Sequence, residues 1–170
     1  MPEARAFRSI PTRILLPIDF SPSSQAALET AADLAQHLQA ELYLVNVIPM
    51  FPTTTLPDLV PEGAFIEEAR NFAESHLGKC KVALAAKGVK STSSVEVGND
   101  VVGNIMEVVE REYIDMVVIS THGISGWHPL VFGSIAEKVL KLVQCPILLL
   151  HSANLETHSK SPSQRSMEWW

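Results

Sequence analysis

The sequence predicts a single α/β domain built on an open parallel sheet with helices on both faces. Short apolar runs alternate strictly with stretches of helical periodicity, in the order β-α-β-α-β-α-β-α-β. Most of these runs are nearly continuous in Val, Ile and Leu, as strands are when helices cover both sides of a sheet. A length of 170 residues fits one such domain with a sizeable core. Right-handed crossovers then follow for consecutive parallel strands.

The elements can be justified in turn. The first strand is RILLPI (13–18). A helix follows from Ser21, a good N-cap residue, with Pro22 at the first helical position. Leu28, Ala31, Ala35 and Leu38 repeat on its inner face. The second strand is LYLVNVI (42–48), and the second helix spans about 62–87, with Phe65, Ala69, Phe72, Leu77, Cys80 and Leu84 on one broad face. SSVEV (93–97) is short and alternating, which places it at or near a sheet edge. The third helix covers about 100–112, with Val101, Ile105, Val108 and Val109 inward. DMVVIS (115–120) is the fourth strand and PILLLH (146–151) the fifth. Between them lies a helix carrying Ile135, Val139 and Leu142. Residues 1–10 read as an N-terminal extension, 11–152 as the domain, and 153–170 as a polar tail ending in Trp169 and Trp170. The segment 49–63 holds four prolines and reads either as a functional flap or as a surface linker.

Composition narrows the function classes. The formal net charge of −6 gives no electrostatic support to a nucleic-acid partner. No window approaches the ~20 apolar residues of a membrane span, and the first residues lack a signal-type apolar core. Cys80 and Cys145 do not form a CxxC pair and read as small apolar side chains in a reducing cytoplasm. The six histidines show no H-E-x-x-H or clustered spacing, so a zinc site held by the protein is not expected.

In an open parallel sheet, ligands sit beyond the carboxyl ends of the strands where the strand order reverses. PIDFS (17–21) leaves the first strand there if the first and fourth strands flank that point. STHGISGWHPLVFGSIAEKVL (120–140) leaves the fourth. Ser134 and Glu137 have the S-x-x-E spacing of a capping box, which explains Gly133, Ser134 and Glu137 structurally. It leaves Gly123 and Gly126 unexplained, along with a twelve-residue connection where a few residues would suffice. Spare glycines let backbone N–H groups approach a ligand, and a helix N-terminus favours an anion. Those are the requirements of a phosphate site. Neither G-x-x-x-x-G-K-[ST] nor G-x-G-x-x-G occurs. His122, in the same loop, reads as structural. Taken alone, Asp19 reads as a turn or capping acid before the first helix.

Over about 13–151 the chain resembles the universal stress proteins. The resemblance rests on ILLPIDFSPSSQAAL, on LYLVNVI, and on a G-x2-G-x9-G-[ST] motif with its helix, Cys-Pro turn and last strand. Nine residues separate Gly123 from Gly133, Ser134 follows, and Ser120 stands where the motif begins with glycine. The resemblance implies a five-stranded sheet in the order 3-2-1-4-5, a Rossmann-like fold of the adenine nucleotide alpha-hydrolase type. It implies an adenine nucleotide, ATP or AMP, possibly with Mg²⁺. Carried over by position, Pro17 shapes the turn and Asp19 meets the ribose and phosphates, perhaps through the metal. Val47 meets the adenine through its backbone. Ser120, Gly123, Gly133, Ser134 and Ile135 line the phosphates and ribose. Ile124 stands where many relatives have a basic residue, so triphosphate binding is expected to weaken or to give way to fewer phosphates.

The implied function is a ligand-dependent, stress-associated binder rather than an efficient enzyme, since no general base for an attacking water can be named. The alternatives are a slow Mg-dependent ATP hydrolase on the same scaffold and a nucleotide-free dimerisation or scaffold module. A homodimer through the last strand, Pro146 to Leu150, is expected, because that strand is an apolar edge. A cytoplasmic location, with neither nucleic acid nor membrane as partner, completes the reading.

Overall fold

A computed structural model describes residues 10–50, 62–121 and 133–151. Gly123, Gly126, His122, Ile124, most of the proline-rich segment and the tail with Trp169 and Trp170 lie outside these residues. The elements run β1 (Arg13–Pro17), α1 (Pro22–Leu38), β2 (Glu41–Pro49), α2 (Glu62–Ala86), β3 (Ser91–Gly98), α3 (Val101–Arg111), β4 (Met116–Ser120), α4 (Ser134–Leu142) and β5 (Ile147–Leu150). The five strands are parallel and ordered β3-β2-β1-β4-β5, the arrangement the resemblance implied.

Side chains alternate across each strand, and both faces are covered. Ile14, Leu16, Ile18, Leu42, Leu44 and Val118 pack with Ala27, Ala31 and Ala35 of α1 and Leu77 and Leu84 of α2. Leu15, Tyr43, Val45, Val117 and Ile119 pack with Val102, Ile105 and Val108 of α3 and Val139 of α4. This double burial is the physical reason the strands read as unbroken apolar runs. The outer strands β3 and β5 are mostly half-buried, and of the two only β3 lacks an apolar run.

In α3 Ile105, Val108 and Val109 are buried as expected, half-buried Val101 packs against the same cluster, and Val102 joins them. One helical face differs from expectation. In α2 the buried residues are Ala73, Leu77 and Leu84, whereas Phe65 is 61% and Phe72 55% exposed. Small and aliphatic residues face the sheet. Phe72 turns sideways to meet Phe20 edge-on, at a ring separation of 5.9 Å, and His76 at 4.0 Å.

Charged groups tie the sheet together at both ends, with Asp115 at the amino ends of the strands and Glu96 near the carboxyl end of β3, beside Val47. The Asp115 carboxylate accepts from the Thr12 and Arg13 N–H groups and from the Thr12 hydroxyl, tying the start of β4 to that of β1. Glu96 on β3 accepts from Arg111 at 2.6 Å and from the Ser94 hydroxyl at 2.8 Å. The Arg111 hydrogen bond, helped by Ser94 and opposed by burial, holds the Glu96 carboxyl below its ordinary value of 4.5. A carboxyl depressed on folding stabilises the protein above the unfolded value, and that contribution disappears as the pH falls through the folded value. Glu96→Gln is therefore expected to cost about 0.5–1 kcal/mol at pH 7 and progressively less in acid, as the pH falls through the folded value, when chemical denaturation is compared at pH 7 and in acid. An equal deficit at both pH values would assign the loss to packing instead of charge.

Candidate functional site

The sheet separates at its centre. β1 pairs with β2 over five residues, Arg13 to Pro17, but with β4 over only two, Ile14 and Leu15. The carboxyl halves of β1 and β4 diverge at the place where the strand order reverses.

On one side of this gap the chain leaves β1 through Pro17 into a tight turn. The Ile18 N–H donates to the Val45 carbonyl at 2.8 Å, and the buried Asn46 side-chain amide donates to the Ile18 carbonyl at 2.8 Å. Oδ1 of half-buried Asp19 accepts from the Ser21 N–H at 3.0 Å. Phe20, between them, sits in the left-handed region at φ 61, where a bulky residue is rare and strained. Ser21 then caps α1, its hydroxyl accepting from the Ser24 N–H at 3.2 Å, with Pro22 next. The turn role of Asp19 is thus real. The same bond holds the carboxylate in place just beyond the carboxyl end of β1.

On the other side, Ser120 ends β4 beside Leu150 of β5. Thr121 follows, fully buried. Its N–H donates to the Leu150 carbonyl at 2.9 Å, its hydroxyl reaches the same carbonyl at 3.3 Å, and its own carbonyl accepts from the Gly133 N–H at 2.8 Å. A Cβ on Gly133 would lie 3.0 Å from that carbonyl oxygen, tighter than ordinary contact, so glycine eases the close approach here.

The capping box is not formed. Gly133 is the N-cap of α4, and among the described residues no side chain caps this helix. The Gly133 carbonyl already accepts from the Glu137 N–H at 3.0 Å, and its N–H is held by Thr121, so the helix starts one residue before the S-x-x-E spacing suggests. Glu137 instead pairs with Lys141 at 2.7 Å. Ser134 becomes the first helical residue, with an exposed side chain, and half-buried Ile135 anchors the turn on the core. The first-turn N–H groups of a helix have no intrahelical acceptor.

The structure therefore brings Pro17, Asp19 and Ser120 to the carboxyl ends of neighbouring strands, with Gly133, Ser134 and Ile135 starting the helix that follows β4. Half-buried Val47 stands near the end of β2, one strand further on. Gly123 lies outside the described residues. Two structural contributors escaped the sequence reading. Asn46 was visible as the single polar residue in LYLVNVI, but its contact with Ile18 was not. Thr121 carries no sequence signal beyond following Ser120. Among the described residues, no three His, Cys, Asp or Glu side chains gather into a metal-holding group, and no helix is long and apolar enough to cross a membrane.

Comparison with known proteins agrees with this architecture. The model of the universal stress protein family matches residues 11–151. Universal stress protein YxiE of Bacillus subtilis is 31% identical over 146 residues, covering 81% of this chain and 97% of its own. Universal stress protein UspA from Lactobacillus plantarum superposes with a TM-score of 0.75 at 23% identity, over 84% of this chain and 99% of that one. A universal stress protein from Archaeoglobus fulgidus, solved in complex with dAMP, superposes with a TM-score of 0.58 at 18% identity, over 81% and 96%. On the family match and the near end-to-end alignment with the Bacillus protein, this chain belongs to the universal stress protein family.

Proposed function

We propose that this protein binds an adenine nucleotide, ATP or AMP, and acts as a ligand-dependent regulator in a stress response rather than as an efficient enzyme. The observation that carries this reading is the pairing of two fixed groups at the parting of β1 and β4. One is the Asp19 carboxylate, held by its own turn. The other is the start of α4, which no side chain among the described residues caps and which Gly133 pins to Thr121. A carboxylate accepts from ribose hydroxyls or takes one position on Mg²⁺. A helix start that no side chain among the described residues caps suits phosphate, because its first N–H groups have no intrahelical acceptor. The fold neighbour solved with dAMP supports the same ligand class. In this reading the Val47 backbone meets the adenine. Pro17 shapes the turn, and Ser120, Gly123, Ser134 and Ile135 line the ribose and phosphates.

Regulation of this kind needs a ligand that stabilises one state of the protein over another. A homodimer through Pro146 to Leu150 is the assembly we propose. β5 is an outer strand of half-buried Ile and Leu, and Leu140 and Leu142 on the preceding helix are 41% and 58% exposed. Sedimentation at micromolar concentration is expected to show a dimer, and a strict monomer would overturn that part.

The test of function is direct. Purified protein is denatured, and any released nucleotide is identified by chromatography and mass spectrometry. The native protein is then titrated with ATP and AMP, with and without Mg²⁺. Adenine nucleotide binding with little or no release of phosphate or pyrophosphate is the expected outcome. Steady release abolished by Asp19→Asn would favour the slow hydrolase, and failure to bind either nucleotide would favour the scaffold module. With Ile124 where a basic residue is common among relatives, AMP is expected to bind no more than about tenfold more weakly than ATP, equivalent to one charge-assisted hydrogen bond.

A further inference from the structure

We infer that Asn46 sets base selectivity, by taking over a backbone hydrogen bond that would otherwise occupy the Val47 N–H. This rests on the proposed reading that the Val47 backbone faces the adenine. The hydrogen bonds of β2 establish which way each residue points. Glu41 N–H bonds to Thr12 and the Val45 carbonyl accepts from Ile18, so odd-numbered residues face β1. Leu42 N–H bonds to Lys90 and Met50 N–H to Gly98, so even-numbered residues face β3. Val47 is odd and directs its N–H and carbonyl toward the β1 side. Regular pairing of β1 and β2 ends at Pro17 and Val45, and the Ile18 N–H adds one last bond to Val45. A parallel ladder would continue with Val47 N–H donating to the Ile18 carbonyl. That carbonyl is met instead by Asn46 Nδ2 at 2.8 Å.

The substitution matters because Ile18 is buried and its carbonyl needs a donor. Asn46 is itself 8% exposed, so its amide is held by packing in the position from which it donates. With Asn46 in place, the chain can turn off toward Asp19 while the Val47 N–H and carbonyl remain directed into the opening. Those two groups match the Watson–Crick edge of adenine, where N1 accepts and the 6-amino group donates. Hypoxanthine presents the reverse pattern, N1–H and a 6-oxo group, and would set donor against donor and acceptor against acceptor. Asn46 is accordingly a positioning residue, acting on the ligand through Val47.

The experiment combines amide exchange of the unliganded protein with titrations of Asn46→Leu, which has a similar side-chain size and no donor. In wild type the Val47 amide is expected to exchange faster than the Val45 amide. In Asn46→Leu it is expected to become protected as Val47 closes onto Ile18. Wild type is expected to prefer AMP over IMP by about tenfold or more, the discrimination of one or two mismatched hydrogen bonds. Asn46→Leu is expected to bring that ratio close to one while leaving the affinity for inorganic tripolyphosphate unchanged. General loosening of the fold would weaken all three ligands together and leave the ratio in place. A Val47 amide as protected as that of Val45 in wild type overturns the inference without needing any variant. So does an unchanged AMP-to-IMP ratio in a folded Asn46→Leu. Failure of wild type to bind either nucleotide would instead overturn the proposed function, and the exchange result would still report on the Asn46 bond.

Discussion

Gly133→Val is expected to remove adenine nucleotide binding from the range accessible to calorimetry and to destabilise the fold by about 1–3 kcal/mol, the usual result of overpacking. The backbone of Gly133, at φ −59 and ψ 136, is open to any residue, so the effect comes from space alone. The first added carbon already stands 3.0 Å from the Thr121 carbonyl oxygen, a backbone atom in a fully buried residue that cannot swing aside. Valine's methyl groups must push the start of α4 away from β4, and the Gly133 N–H bond to Thr121 is lost with them. A displacement of about 1 Å suffices to break the alignment of several N–H groups with one phosphate. Gly133→Ala should give an intermediate loss. Isothermal titration with AMP and ATP, with thermal unfolding on the same samples, checks both effects. Wild-type affinity in a folded Gly133→Val protein would mean that α4 does not hold the phosphate.

Asp19→Asn is expected to lower nucleotide affinity by about tenfold, with a larger loss when Mg²⁺ is present, while shifting the melting temperature by no more than about 2 °C. Asparagine keeps an oxygen for the Ser21 N–H, so the turn survives and only the charge is removed. Asp19→Ala removes both. It leaves the Ser21 N–H without its side-chain acceptor and takes away a bond that holds Phe20 in its left-handed conformation, which costs a bulky residue about 1–2 kcal/mol. A stability loss in the alanine protein, absent from the asparagine protein, would separate the turn role from the ligand role. Equal affinity of all three proteins would leave Asp19 a turn residue only.

These two sites show what could be read from sequence and what could not. Alternating apolar runs and helical stretches are local patterns, and they led directly to five parallel strands and to SSVEV at an edge. The Ser21 cap with Pro22 behind it is equally local, and it stands as expected. Errors arose where a distant contact decides between two local options. S-x-x-E fits a cap at Ser134, but the Gly133 bond to Thr121 moves the helix start back by one residue. Phe65 and Phe72 are the bulkiest apolar residues in the first half of α2 and drew the inward face toward themselves. The sheet accepts Ala73 and Leu77 instead, and Phe72 finds Phe20, a residue made available only by the turn after β1. Asn46 shows the same limit. A polar residue amid apolar ones announces a partner without saying which carbonyl it is.

Thr121 has a consequence for how the molecule could transmit information. One fully buried residue bonds the last position of the outer strand on one side and the N-cap of α4 on the other. Packed on every side, it has little room to absorb movement, so a displacement of Leu150 is passed on to Gly133, and one of Gly133 to Leu150. The edge strand and the helix start then behave as two ends of one lever. Thermodynamic reciprocity makes the traffic symmetrical: whatever factor a bound ligand applies to contacts along β5, those contacts apply to the ligand.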